Sequence, residues 1–275
     1  MPASYHFIPA DKPKLFERIS TLDADCIIFD LEDAVAAEAK LDAVHHLSDW
    51  LSTQTKADGY YVRLNGHHSE WAIKEKELLS AFPWLFVVLP KLTTVAELRG
   101  AFEFYGLTDR AVIGLIEDAS ALLAIHELLQ SGLLTGLGLG LEDFLSDSIY
   151  QAGQCADLVQ SVRSRVALAA MACGLEAIDT ISLDFSEEAE TLQQDCLNAR
   201  SAGMTAKFSI HPRQIKRINQ CFAPEPDLIE KAKANQQWLE TASSNTSGYF
   251  KKDNIVFSPP TIKKLKRILE WLTRK

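Results

Sequence analysis

Eight short apolar runs, each followed by a longer stretch with helical spacing, constrain the fold of this chain more than any other feature. They fall at residues 5–9, 26–29, 60–64, 85–89, 111–116, 136–141, 178–183 and 206–210. The runs are rich in Ile, Val, Leu and Phe and lack the clean polar–apolar alternation of a strand with one wet face. Such runs suit parallel strands covered on both sides. Between them apolar residues recur at spacings of three and four, as in Leu15, Ile19 and Leu22, or Leu122, Ile125 and Leu129. Strand–helix alternation eight times over predicts a (β/α)8 TIM barrel of the α/β class. The competing arrangement, an open doubly wound sheet, usually carries a glycine-rich nucleotide turn early. The only candidate, Gly136-x-Gly138-x-Gly140, lies within a strand and has the wrong spacing. Those glycines are read instead as room for close packing or for ligand approach.

The barrel is expected over residues 1–222, with residues 223–275 as a short helical C-terminal extension that packs on the barrel or on a neighbouring subunit. Helices are expected at 212–221, 226–241 and 260–275, with a polar loop at 243–248. The last helix is basic and amphipathic, most simply a solvated face with favourable C-terminal charge. A net charge of −9 and a pI near 5.3 argue against nucleic-acid and membrane-surface partners. Five cysteines, Cys26, Cys155, Cys173, Cys196 and Cys221, stand far apart with no C-x-x-C pair. This pattern predicts reduced, buried thiols in a cytoplasmic protein, not a disulfide frame or zinc site. No basic and apolar leader and no run of membrane-spanning length is read.

Several apolar runs end in acid. Residues 26–29 pass directly into Asp30-Leu31-Glu32-Asp33, residues 112–116 into Glu117-Asp118, and residues 137–141 into Glu142-Asp143. Carboxylates crowded at the end of a buried strand repel one another and lose hydration, so a compensating cation is implied. In a barrel these ends converge on one mouth, the C-terminal face where active sites form. Arg63, Asn65, Lys91 and His211 follow other strands to the same face. Carboxylates with an Arg and a Lys or two suit a hard divalent cation that holds an anionic oxygen ligand, and Mg²⁺ takes one or two carboxylates. Asp118 reads as a helix N-cap, His211 as a strand-end hydrogen-bonder, and Arg63 alone could equally be an ion-pair partner of Asp30.

Together, Phe7-Ile8-Pro9-Ala10-Asp11-Lys12-Pro13, Phe29-Asp30-Leu31-Glu32-Asp33-Ala34-Val35, Val62-Arg63-Leu64-Asn65-Gly66, Leu89-Pro90-Lys91, Ile116-Glu117, Gly140-x-x-Asp143 and Ile210-His211-Pro212 resemble, in order, the citrate lyase β-subunit family. That family includes malyl-CoA and citramalyl-CoA lyases. The resemblance implies an Mg²⁺-dependent carbon–carbon lyase of retro-aldol or retro-Claisen type. Its partners would be a small oxo or hydroxy acid, free or as a coenzyme A thioester, in a homo-oligomer such as a trimer. It implies Glu117 and Asp143 as direct Mg²⁺ ligands, and Glu32 and Asp33 as holders of metal-bound waters. Arg63 would grip the substrate carboxylate bidentately. Lys12, Asn65 and Lys91 would also meet the substrate.

Two positions depart from the family pattern. Lys12 stands where an Arg commonly binds the nucleotide end of coenzyme A, and Lys lacks the planar fork. Ser258, in Asn254-Ile255-Val256-Phe257-Ser258-Pro259-Pro260, stands where an Asp acts on a neighbouring subunit's site. Serine cannot efficiently protonate an enolate carbon at neutral pH, and Asp253 lies five residues upstream. Two further readings therefore stand beside the lyase. One is an accessory or non-catalytic subunit that binds a metal–oxo acid complex, and the other an aldolase on free oxo acids.

Overall fold

The computed structural model describes residues 2–55, 59–146, 149, 152–184, 190–241, 250–252 and 255–273. Its contacts divide the chain into two compact units, Ala3–Phe222 and Ala223–Lys275, the latter together with the first two residues. In the larger unit eight parallel strands close on themselves: β1 (Ser4–Pro9), β2 (Cys26–Asp30), β3 (Tyr60–Arg63), β4 (Phe86–Leu89), β5 (Val112–Ile116), β6 (Gly136–Leu139), β7 (Glu176–Asp179) and β8 (Ala206–Ser209). Closure is made by β1 on β8, with Tyr5 opposite Phe208. Around them run α1 (Lys40–Ser52), α2 (Ala72–Ala81), α3 (Val95–Tyr105), α4 (Ala119–Gln130), α5 (Leu141–Phe144), α6 (Ala156–Cys173), α7 (Glu190–Ser201) and α8 (Pro212–Phe222). This is the (β/α)8 TIM barrel that the eight apolar runs predict.

Both faces of the sheet are dry, which is why the strands read as continuous apolar runs. Outward-facing Ile8, Phe29, Val62, Val87 and Val112 meet the helices in the main core. Inward-facing Tyr5, Ile28, Tyr61, Val88, Ile113, Ile178 and Phe208 fill the barrel. Strand β6 contributes almost no interior side chain. A Cβ at Gly138 would lie 2.6 Å from both Leu115 and Phe208, so those two side chains occupy the space that the glycine vacates.

Several expectations change in detail. The seventh strand is Glu176–Asp179, not 178–183; Ile181 and Leu183 belong to the loop beyond it, and the charge of Glu176 at the strand's start conceals it in the sequence. Glu142 and Asp143 open the short helix α5 and do not end a strand. Leu15 and Ile19 lie in a 3₁₀ segment, Pro13–Thr21, of which Phe16 and Ile19 are buried while Leu15 is exposed. Asp118 is the N-cap of α4, its Oδ1 accepting from the Ala121 N–H at 2.7 Å. All five cysteines are free, but only Cys26, Cys196 and Cys221 are buried; Cys173 is exposed and Cys155 half-buried.

The smaller unit comprises α9 (Pro226–Ala234), α10 (Gln236–Thr241), an antiparallel pair β9 (Phe250–Lys252) and β10 (Ile255–Phe257), and α11 (Pro259–Thr273). The single helix expected at 226–241 is broken at Asn235, and the strand pair was not expected. Ala232, Leu239, Phe257, Ile262, Leu265 and Ile268 form its own apolar cluster. The loop at 243–248 and Asp253 lie outside the described residues.

Candidate functional site

Strand period two carries one residue from each strand end to the barrel mouth. Continuing the inward-facing series of each strand reaches Pro9, Asp30, Arg63, Pro90, Glu117, Gly140, Thr180 and Ile210. All except Pro90 line one cavity of about 520 Å³. Asp33, Glu142 and Asp143 enter it from the loops, and Phe7, Leu115, Leu139, Ile181 and Phe208 form its apolar wall. Five carboxylates and one cationic side chain line this space.

Glu117 is 5% exposed and sits where β6 offers no side chain. A Cβ at Gly140 would lie 2.6 Å from Glu117 Cγ and 3.0 Å from its Oε1. The other oxygen, Oε2, accepts the backbone N–H of Lys91 at 2.6 Å. Lys91 achieves this with φ of 52°, the one positive φ at a non-glycine among the described residues. Such strain persists where its surroundings enforce it, typically at working sites. Burial first, then the charges of Glu32 and Asp143, push the Glu117 carboxyl up to about 7, against the opposing Lys91 N–H and Arg63.

Arg63 is turned on protein carboxylates. Its Nε and Nη2 grip Asp30 Oδ1 and Oδ2 at 2.8 and 2.6 Å, while Nη1 reaches Glu32 and Asp33 at 3.1 and 3.2 Å. Its guanidinium lies 5.0 Å from the centre of the Phe7 ring. Burial disfavours the charge, but the bonds and charge of Asp30, with Glu32 and Asp33, more than reverse this and hold the guanidinium above its ordinary value. The fork that the resemblance assigns to a substrate carboxylate here faces Asp30, and the Nη1 edge points between Glu32 and Asp33. Asp30 is itself fixed by the Glu32 and Ala34 N–H groups.

Glu32 is buried, and burial raises its carboxyl despite Arg63 and Lys91. Lys91 Nζ meets its Oε1 at 2.7 Å, whereas Oε2 has the Arg63 Nη1 ion pair at 3.1 Å and no hydrogen bond. Lys91, 61% exposed at its side chain, is thus engaged with Glu32 and raised first by that bond. Asp33 is half-exposed. Lys12 is exposed and does not line the cavity.

Asn65 does not line the cavity. It is 5% exposed, its amide N–H groups are taken by Leu31 O and Glu75, and its Oδ1 accepts from Lys40 Nζ at 2.8 Å. Both amide N–H groups are thus taken by the protein. Lys40 also donates to the carbonyls of Leu31 and Glu32, so this buried network braces the acidic loop from behind. The sequence reading placed Glu142 at the mouth but missed Thr180, Ile181 and Phe7 as lining residues. Placing β7 two residues earlier would have brought Thr180 to the mouth by period two alone.

The donor set fits Mg²⁺. Glu117 and Asp143 supply hard oxygens, Gly140 leaves the space for the Glu117 carboxylate, and Glu32 Oε2, which has the Arg63 ion pair but no hydrogen bond, can accept from a metal-bound water. Among the described residues no three His, Cys, Asp or Glu side chains converge as a metal centre.

Fold and cavity define a (β/α)8 barrel protein with a carboxylate-lined site at the C-terminal face of its strands. More narrowly, the chain belongs to the HpcH/HpaI aldolase/citrate lyase family, whose sequence model matches residues 4–212. It is 31% identical over 245 residues to a (3S)-malyl-CoA thioesterase of Cereibacter sphaeroides, covering 88% of this chain and 84% of that one. It is 29% identical over 258 residues to a citrate lyase subunit beta-like protein of Mycobacterium tuberculosis, covering 92% and 89%. Among solved structures it resembles the Mycobacterium tuberculosis protein CitE in complex with magnesium, acetoacetate and coenzyme A. There the TM-score is 0.74 and the identity 26%, over 98% of this chain and 97% of that one. No described helix is long and apolar enough to cross a membrane.

Proposed function

We propose that this protein is an Mg²⁺-dependent carbon–carbon lyase of aldol or Claisen type, acting on a small oxo or hydroxy acid joined to a coenzyme A-like thioester. The observation that carries this reading is the convergence of Glu117, seated over Gly140, with Asp143 and Arg63 on one half-apolar cavity. The magnesium, acetoacetate and coenzyme A bound to the CitE relative support the ligand classes.

Glu117 and Asp143 would hold the metal, with Glu32 and Asp33 accepting hydrogen bonds from its waters. A bound Mg²⁺ would act as a Lewis acid on the acid's oxygens and offset the carboxylate excess. Arg63, fixed by Asp30 through Nε and Nη2, would turn Nη1 from Glu32 and Asp33 to the developing negative charge as those carboxylates engage metal-bound waters. Phe7, Leu115, Leu139 and Phe208 exclude water from the carbon that must be protonated after cleavage. Ser258 offers no carboxyl for that protonation.

The test is thermal stabilisation by Mg²⁺ with pyruvate, glyoxylate, oxaloacetate and acetoacetate, with and without coenzyme A thioesters. Absence of any Mg²⁺-dependent shift would sink the proposal. A second reading, thioester hydrolysis, is favoured by the likeness to the malyl-CoA thioesterase together with Ser258. Product analysis separates the two. Cleavage of a malyl-CoA-like ester gives an oxo acid and a shorter thioester, and hydrolysis gives a free thiol and a hydroxy acid.

A further inference from the structure

We propose that Thr180 is the positioning residue for Asp143, acting through the backbone amide of Leu141; the proposal rests on the Mg²⁺ reading above. Helix α5 is four residues long, too short to hold its own geometry. Its N-cap is Gly140, which has no side chain to accept the first free amide. The place of Asp143 is therefore set by what the start of α5 touches.

Gly140 N–H donates to Ile116 O at 3.0 Å, Leu141 N–H donates to Thr180 Oγ1 at 3.2 Å, and the Leu141 side chain is buried. Ile116 directly precedes Glu117. The two bonds thus tie the start of α5 between the strand that delivers Glu117 and the end of β7. The Thr180 hydroxyl replaces the missing cap from a neighbouring strand.

Thr180 is itself held. Lys207 Nζ donates to Thr180 O at 2.7 Å and is fully buried. Its charge is answered by Asp179 at 2.6 Å and Asp195 at 2.7 Å, and both carboxylates also meet Arg163. These two cations and two carboxylates balance, and none of them lines the cavity. They join β7 and β8 to α6 and α7, and the chemistry proposed above does not use them. A buried, balanced cluster of this kind is rigid because any departure leaves an unpaired charge. Thr180 is the residue through which that rigidity reaches the site.

The experiment compares Thr180→Val, which keeps the shape and removes the acceptor, with Thr180→Ser, which keeps the hydroxyl. Thr180→Ala, which removes the hydroxyl without adding a methyl, serves if Val is not tolerated. Two readouts are taken: Mg²⁺ affinity by titration calorimetry, and amide hydrogen exchange over Leu141–Phe144. Thr180→Val is expected to weaken Mg²⁺ binding about 3- to 10-fold, the range for one neutral hydrogen bond, and to speed exchange in α5 ahead of the barrel strands. Thr180→Ser should restore both. Wild-type affinity and exchange in Thr180→Val would overturn the proposal, as would a Thr180→Ser variant as weak as Val, which would assign the effect to shape. Wild-type protein that takes up no Mg²⁺ would overturn the metal reading and this proposal together; an intact Mg²⁺ isotherm in the wild type with no response in the variants would overturn this proposal alone.

Discussion

Replacing Glu117 by Gln is expected to stabilise the metal-free protein while destroying its metal site. The Glu117 carboxyl is raised from 4.5 to about 7, chiefly by burial. Each tenfold in a protonation equilibrium is about 1.4 kcal/mol, so ionising this group in the fold costs about 3 kcal/mol. The native state binds the extra proton between pH 4.5 and 7, which makes stability fall as pH rises through that window. The cost is absent below about pH 4.5 and complete above about pH 7. Gln is never ionised, and its side-chain oxygen can still accept the Lys91 N–H. Without Mg²⁺, urea unfolding at pH 8 should therefore show Glu117→Gln more stable by roughly 2–3 kcal/mol, and the two proteins should converge near pH 4.5. With Mg²⁺ at pH 8 the order should invert, because binding stabilises only the wild type. A metal-free variant less stable than wild type at pH 8, or a difference unchanged between pH 4.5 and 8, would refute the reasoning.

Gly140→Ala places a Cβ 2.6 Å from Glu117 Cγ, so it should cost about 1–3 kcal/mol of stability and displace the carboxylate, read as lost Mg²⁺ binding in calorimetry; unchanged affinity would count against the cradle. Arg63→Lys cannot keep both bonds to Asp30 and should weaken oxo acid binding by roughly 1.5–3 kcal/mol, checked by titration in saturating Mg²⁺. Wild-type protein should turn over malyl-CoA-like and citramalyl-CoA-like esters slowly as a lyase, and Ser258→Asp should raise the rate within the roughly 10²–10⁴-fold range of acid–base groups. Brisk wild-type cleavage in a coupled assay for the oxo acid would show that another residue supplies the proton.

The sequence by itself determined the barrel. Eight apolar runs without alternation report strands dry on both faces, and that pattern is a property of each strand alone, independent of its neighbours. It also placed the acids of residues 30–33, Glu117 and Asp143 at one mouth, because parallel strands send all their C-terminal ends the same way. Tertiary structure decided which of the polar residues there face the cavity. Asn65 and Arg63 follow the same strand two residues apart, yet one is spent on Lys40 and Glu75 and the other on Asp30. No local signal distinguishes them, since hydrogen-bond partners from α1 and α2 lie remote in sequence. The start of β7 was concealed because Glu176, whose carboxylate accepts from the Tyr5 hydroxyl of β1, breaks the apolar run. Gly140 and Thr180 belong to the same class. A missing Cβ and a single hydroxyl acquire meaning only when closure of the barrel brings Glu117 over the first and the Leu141 amide against the second.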